Sequence, residues 1–357
     1  MKYLAQAITF GSWMKCIHFP HILPICEFDE PDFNDASFRS WEEVQQYHTM
    51  DCQFAQGWHL ERIQERTPNY YQKAAVQIKK SGLAYVIDTW VDIDHPDFEG
   101  RVYRGQAFAQ GQNAHGTHVA GLITSRTFGV QKNATVCSVQ VMDGSGIGST
   151  TNVLQGLSWA YYDWVAKGKP KAVVSMSLGG GSSALLNQAV ESLWYAGLAV
   201  IAAAGNSNVD ACLSSPSGSK QIIVVGATDK NDSFASFSNH GSCVTLNAPG
   251  VGILSLYPNK LWAYMSGTSM ATPIVTGIAL SLPFTSPFEL KNILIASGTK
   301  QVLSNLPDQT NNLLAFVMPP EICPTQQSPT FLVQRSTLPH KTYPARDESM
   351  ASLLQQL

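Results

Sequence analysis

A carboxylate, an imidazole and a hydroxyl stand in this sequence where each could act on the next. Asp88 closes the apolar run Leu83-Ala84-Tyr85-Val86-Ile87, His115 opens H-G-T-H-V-A-G, and Ser269 lies within S-G-T-S-M-A-T-P. A serine hydroxyl is a weak nucleophile at neutral pH. It needs a base to take its proton, and the base needs a third group to hold its tautomer. Asp88, His115 and Ser269 can supply those roles, and the chemistry on offer is acyl transfer through a covalent serine intermediate. Asn206, in Ala202-Ala203-Ala204-Gly205-Asn206, adds a side-chain amide able to donate to the oxyanion of a tetrahedral intermediate.

Each residue also has a plainer reading. Ser269 could be a helix N-cap, Asp88 could cap a turn, and Asn206 could belong to a simple Gly-Asn turn. His115 and His118 are three apart and share a helix face. Zinc pairs of the H-E-x-x-H kind are four apart with a glutamate between, and none is present here. His115 is therefore read as a base and His118 as a structural histidine.

These residues need elements to bring them together. Strand-length apolar runs cover residues 83–88, 135–141, 172–176, 198–203 and 222–226, and suit parallel strands buried on both faces. Helix-like segments cover 115–125, 152–166, 183–196 and 269–282. Right-handed crossovers would carry Asp88, His115 and Ser269 to one edge of the sheet.

The chain has 357 residues, 44% hydrophobic, with 14% charged and a formal net charge of −3. That composition supports a packed core and offers no basic stripe for nucleic acid. No apolar run reaches the roughly 18–20 residues of a membrane span. The seven cysteines are Cys16, Cys26, Cys52, Cys137, Cys212, Cys243 and Cys323, with no C-x-x-C pair. Residues 1–56, rich in acids between Glu27 and Glu43, read as an arm or propeptide remnant. Residues 57–317 form the main domain, and 318–357 read as a flexible Pro/Ser/Gln-rich tail. The first residues hint at a secretion signal, but Gln6, Thr9, Ser12 and Lys15 interrupt its apolar core.

From Trp58 to Phe316 the chain resembles the subtilisin family of serine peptidases, in its proteinase K-like branch. The likeness rests on V-I-D-T, D-H-P-D-F-E-G-R, H-G-T-H-V-A-G, S-L-G-G-G, A-A-G-N, S-F-S-N-H-G-S, A-P-G and G-T-S-M-A-T-P. It implies a three-layer α/β/α fold with a mostly parallel central sheet. It implies Asp88, His115 and Ser269 as a triad, and Asn206 with the Ser269 N–H as oxyanion donors. Gly146-Ile147-Gly148 and Ser177-Leu178-Gly179 would be edges that clamp an extended peptide as an added strand. Ala203-Ala204-Gly205 and Gly179-Gly180 would wall a roomy, uncharged pocket for apolar or aromatic P1 residues. The expectation is a secreted, monomeric endopeptidase acting on proteins or peptides, with no nucleic-acid or membrane partner. A mature start near Ala55–Trp58 follows from the match of W-H-L-E-R-I to the branch.

The resemblance also implies a Cys212–Cys243 disulfide, with two buried thiols as the alternative. Thr245 stands where relatives offer an aspartate to calcium, so no essential metal is expected. Trp90 replaces the glycine of D-T-G, and either strain at a positive φ or crowding of the cleft would follow. Pro283 comes early after Ser269 and would shorten the helix that carries it. These departures leave two rivals to hydrolysis: an inactive peptide-binding scaffold, and a ligase or cyclase using the same acyl-enzyme.

Overall fold

The computed structural model describes residues 57–67 and 82–317, together with the backbone of five strands within the first 56 residues. Those strands are β1 (Gln6–Thr9), β2 (Met14–Phe19), β3 (Ile22–Phe28), β4 (Phe38–Arg39) and β5 (Glu43–Tyr47). The first three form an antiparallel sheet. The region proposed as a tail, 318–357, lies outside the described residues, as do Cys52 and Cys323.

The main domain begins with α1 (Trp58–Arg62), β6 (Leu83–Asp88), β7 (Val102–Ala107), α2 (His115–Thr124), β8 (Thr135–Gln140) and β9 (Ile147–Gly148). It continues through α3 (Thr150–Ala166), β10 (Ala172–Met176), β11 (Gly180–Gly181), α4 (Ala184–Tyr195), β12 (Ala199–Ala203), β13 (Ser214–Ser215) and β14 (Ile223–Thr228). β15 (Leu246–Pro249), β16 (Ile253–Tyr257), β17 (Leu261–Ser266), α5 (Thr268–Ser281), α6 (Pro287–Ser297), β18 (Thr299–Lys300) and β19 (Leu313–Leu314) complete it.

Nine strands make one sheet in the order β18-β19-β15-β14-β12-β10-β6-β8-β7, and every pair in it is parallel except β18 with β19. β6, β10, β12 and β14 are buried along their whole length, which is why they read as unbroken apolar runs. Helices α2 and α5 pack together against the sheet, and α3 packs with α4 as a second pair. This is the expected three-layer α/β/α arrangement.

The connection order gives the site its place. From β6 the chain moves to β8 and β7 on one side, then returns to β10, β12 and β14 on the other. β6 is thus a topological switch point, and the carboxyl ends of its neighbours border a crevice. Asp88 is the last residue of β6.

The apolar runs located the central strands to within two residues. β7 was not foreseen, because Val102-Tyr103-Arg104-Gly105-Gln106-Ala107 mixes polar residues into an edge strand. The β16–β17 hairpin and α6 were not foreseen either. The first 56 residues are tied to the domain by strand pairing: β4 lies antiparallel on β9, and β5 lies antiparallel on β17.

Candidate active site

Asp88 reaches His115 because β6 ends where α2 begins. Thr89, the next residue, joins the two elements: its Oγ1 accepts the Gly116 N–H at 2.9 Å, satisfying a helix-start donor that Ala114 cannot cap. Gly116 is required at this contact, since a Cβ there would sit 2.7 Å from the Thr89 carbonyl oxygen and 2.8 Å from that of Trp90. Asn113 Oδ1 takes the His115 N–H at 2.9 Å. With both ends fixed, Asp88 Oδ1 lies 2.7 Å from His115 Nδ1 and also accepts the Thr89 N–H at 2.7 Å. Both side chains are fully buried. The contact fixes the imidazole proton on Nδ1 and leaves the Nε2 lone pair for a substrate-side proton.

Ser269 is the second residue of α5, which packs against α2. The helix N-terminus puts partial positive charge at the serine, where an oxyanion would form. Pro273 stands inside this helix and has no N–H to offer the Ser269 carbonyl four residues back. Ser177 replaces that donor: its Oγ donates to Ser269 O at 2.8 Å, and Ser269 Oγ donates to Ser177 O at 3.2 Å. Both serines are fully buried.

Asn206 is aimed by its surroundings. Its Oδ1 accepts the Thr268 N–H at 2.9 Å and the Thr268 hydroxyl at 2.7 Å, which turns the amide nitrogen away from α5's backbone. Thr268 Oγ1 in turn accepts the Gly205 N–H at 3.1 Å. Gly205 has φ of +102°, and a Cβ on it would meet Asn239 Nδ2 at 2.4 Å. Asn239 braces the loop, donating to the Ala204 carbonyl and accepting from Ser207 and Val209.

Of the proposed peptide edges, Ile147–Gly148 is β9, preceded by Gly146 at φ +77°. The chain's own β4 occupies it, with Phe38 opposite Gly148 and Arg39 opposite Ile147. Ser177 and Leu178 are buried, whereas Gly179 and Gly180 are half-buried; Gly180 pairs with Ser215, so the second edge is available only before β11. Ala203 and Ala204 are buried beside Gly205.

Two expected departures resolve differently. Trp90 is not among the residues with positive φ, so left-handed strain is absent there; its half-buried ring lies 5.8 Å from the Arg104 guanidinium. The helix carrying Ser269 does end before Pro283, yet all fourteen of its residues are buried, so it is not loosened.

Cys212 and Cys243 are joined as a disulfide, with Cα atoms 5.4 Å apart. Thr245 is buried, and its hydroxyl accepts the Val224 N–H at 3.1 Å. A calcium site does not fit this residue, which brings no carboxylate and an already engaged oxygen. Thr89, Asn113, Ser177, Thr268 and Asn239 were not assigned these supporting roles from sequence. Their only signal was position beside a motif residue.

Comparisons with known proteins agree with this geometry. The family model described as "Subtilase family" matches residues 84–311. The chain is 41% identical over 302 residues to a subtilisin-like serine protease of Rhodotorula mucilaginosa, covering 75% of this chain and 88% of that one. It is also 41% identical over 292 residues to the subtilase-type proteinase isp6 of Schizosaccharomyces pombe, covering 77% of this chain but only 62% of the relative. The solved structure of a cold adapted subtilisin-like serine proteinase superposes with a TM-score of 0.66 at 38% identity, covering 73% of this chain and 98% of that one. The chain belongs to the subtilase family of serine endopeptidases.

Proposed function

We propose that this protein hydrolyses internal peptide bonds through an acyl-enzyme on Ser269. The buried 2.7 Å contact between Asp88 and His115, beside a serine at the start of α5, carries this reading. In the first step the Ser269 hydroxyl turns from the Ser177 carbonyl to His115, gives up its proton to Nε2, and attacks the substrate carbonyl. Asp88 stabilises the imidazolium that forms. The Asn206 amide and the Ser269 N–H take the developing oxyanion, and His115 then protonates the leaving amine. Water repeats the sequence in reverse on the ester.

The pocket bounded by Ala203-Ala204-Gly205 and Gly179-Gly180 has no charged group, so apolar and aromatic P1 residues suit it. No essential metal enters the scheme. Secretion accords with the Cys212–Cys243 disulfide, which persists in oxidising compartments.

Asp88, His115 and Ser269 are all inaccessible with β4 on the β9 edge, as expected of a zymogen whose arm must leave. Cleavage before Trp58 would leave α1 anchored, because Arg62 makes a buried bidentate pair with Asp232 at 2.6 and 2.8 Å. Edman sequencing of active protein should begin between Ala55 and Trp58; intact Met1 on active protein contradicts this boundary.

Activity is tested with internally quenched peptides varied at P1. Phe or Leu should exceed Glu by at least about 10-fold in kcat/KM, since a buried unpaired carboxylate is costly. A pre-steady-state burst with the matching ester marks the acyl-enzyme. Absence of cleavage after removal of the arm contradicts the assignment. Transfer to an added amine in preference to water would favour ligation.

A further inference from the structure

Beside the β9 edge lies an open groove of about 550 Å³, with Gln110, Asp143, Ile147, Gly148, Ser149 and Asn152 among its walls. Asp143 is the single ionisable side chain in that lining. Its Oδ1 accepts the Ser145 N–H at 2.9 Å, the Ser145 hydroxyl at 2.6 Å and the Ile147 N–H at 3.1 Å, so the carboxylate is held by the turn that presents β9. Burial acts to raise its pKa, but the bonds from Ser145 and Ile147 outweigh burial and hold it below the usual carboxylate value. The groove therefore carries a fixed negative charge with no basic residue in its walls.

A strand laid on Ile147–Gly148 sends successive side chains to opposite faces, so one of two adjacent peptide residues is directed to the groove side. The volume is ample for a long side chain. The chain's own β4 already takes this edge, and Arg39 is the residue in register with Ile147. Uncharged polar walls from Gln110, Ser149 and Asn152 complete a lining suited to a guanidinium or ammonium group rather than to an aliphatic one.

We propose that this groove is a subsite for a basic side chain of the bound peptide, upstream of the scissile bond, with Asp143 as the residue that selects it. The inference rests on the reading of β9 as a peptide-binding edge. A partly exposed ion pair of this kind gives a preference of about 3- to 5-fold, weakened by salt.

The test measures dissociation constants of fluorescent peptides on full-length Ser269→Ala. Each peptide carries Phe at P1 and either Arg or norleucine at one of the second to fifth positions before the bond. At one or two alternate positions Arg should bind about 3- to 5-fold tighter. That advantage should vanish in Ser269→Ala/Asp143→Asn, where the amide oxygen still accepts the turn's bonds, and grow in Ser269→Ala/Asn152→Asp. Equal affinities at every position, an advantage that survives Asp143→Asn, or no binding of any peptide would overturn the proposal. Cleavage of the norleucine series by wild type is read separately. Cleavage without an arginine preference refutes the groove alone, whereas preference without cleavage refutes the peptidase reading alone.

Discussion

Ser177 and Thr268 show how much of the catalytic geometry depends on residues that touch no substrate. Ser177 Oγ supplies the hydrogen bond that Pro273 denies to the Ser269 carbonyl. Ser177→Ala leaves that carbonyl buried and unsatisfied, at a cost of about 1–3 kcal/mol. The nucleophile's helical turn also loses its tether. We expect thermal melting to fall and kcat to drop about 10-fold. Thr268 holds Asn206 through two bonds to Oδ1, and Thr268→Val removes one while keeping the shape. It should lower kcat about 10-fold with KM nearly unchanged, the pattern of an interaction realised in the transition state. Asn206→Leu should lower kcat by about 10²–10³, the size known for a subtilisin oxyanion asparagine. Steady-state kinetics on one peptide separates the three; an effect confined to KM would contradict the assigned geometry.

At the scale of elements, α1 and the central sheet differ in what holds them. The sheet is secured by buried apolar strands. The short α1 depends on the Arg62–Asp232 pair, whose side chains are 0% and 5% exposed. Removing one member of a buried ion pair strands the other, so Arg62→Ala should destabilise by about 3–5 kcal/mol in urea unfolding. Arg62→Met with Asp232→Asn should recover much of that, since no charge is left buried and asparagine tolerates the φ of +59° at this position. Equal loss in the single and double variants would show that packing, not charge, anchors α1.

The elements were legible in the sequence where burial makes them uniform. β6, β10 and β12 are apolar throughout, and their ends fell where the composition changes. Asp88, His115, Ser269 and Asn206 were legible because each stands at the end or start of such an element. Ser177 was read as part of a peptide edge, yet its hydroxyl serves the helix instead; that role depends on a missing N–H at Pro273, a long-range relation that spacing does not reveal. Trp90 was judged by analogy to glycine, but its φ removes the strain. The β4–β9 and β5–β17 pairings join segments about a hundred or more residues apart, and no local pattern announces them.

For the molecule as a whole, two buried histidines set the acid limit. Desolvation lowers His59 to about 4 and His118 to about 3, although backbone carbonyls of Phe128, Ala263 and Ile253 act in the opposite sense. His118 Nε2 lies 3.1 Å from both the Ile253 and Ala263 carbonyls, so its neutral tautomer donates to both strands of the β16–β17 hairpin. Folded pKa values below the unfolded value of about 6.5 mean that the unfolded chain binds more protons below that pH. The associated stability is complete above pH 6.5 and is lost progressively as pH falls toward 4 and then 3. Urea midpoints should decline across that window, and His118→Gln should flatten the decline; a decline of unchanged steepness would contradict this role. The Cys212–Cys243 bond spans 31 residues, and its removal should cost about 3–4 kcal/mol in the chain-entropy model.

The central claim is that Ser269 is an activated nucleophile once its cleft is open. Labelling by a fluorophosphonate probe, before and after limited proteolysis of the first 56 residues, tests it most directly. The account predicts a single phosphonylated residue, Ser269 by peptide mass, appearing on removal of the arm and absent from Ser269→Ala and His115→Ala. No labelling of the trimmed, folded protein, or labelling at another serine, would contradict it.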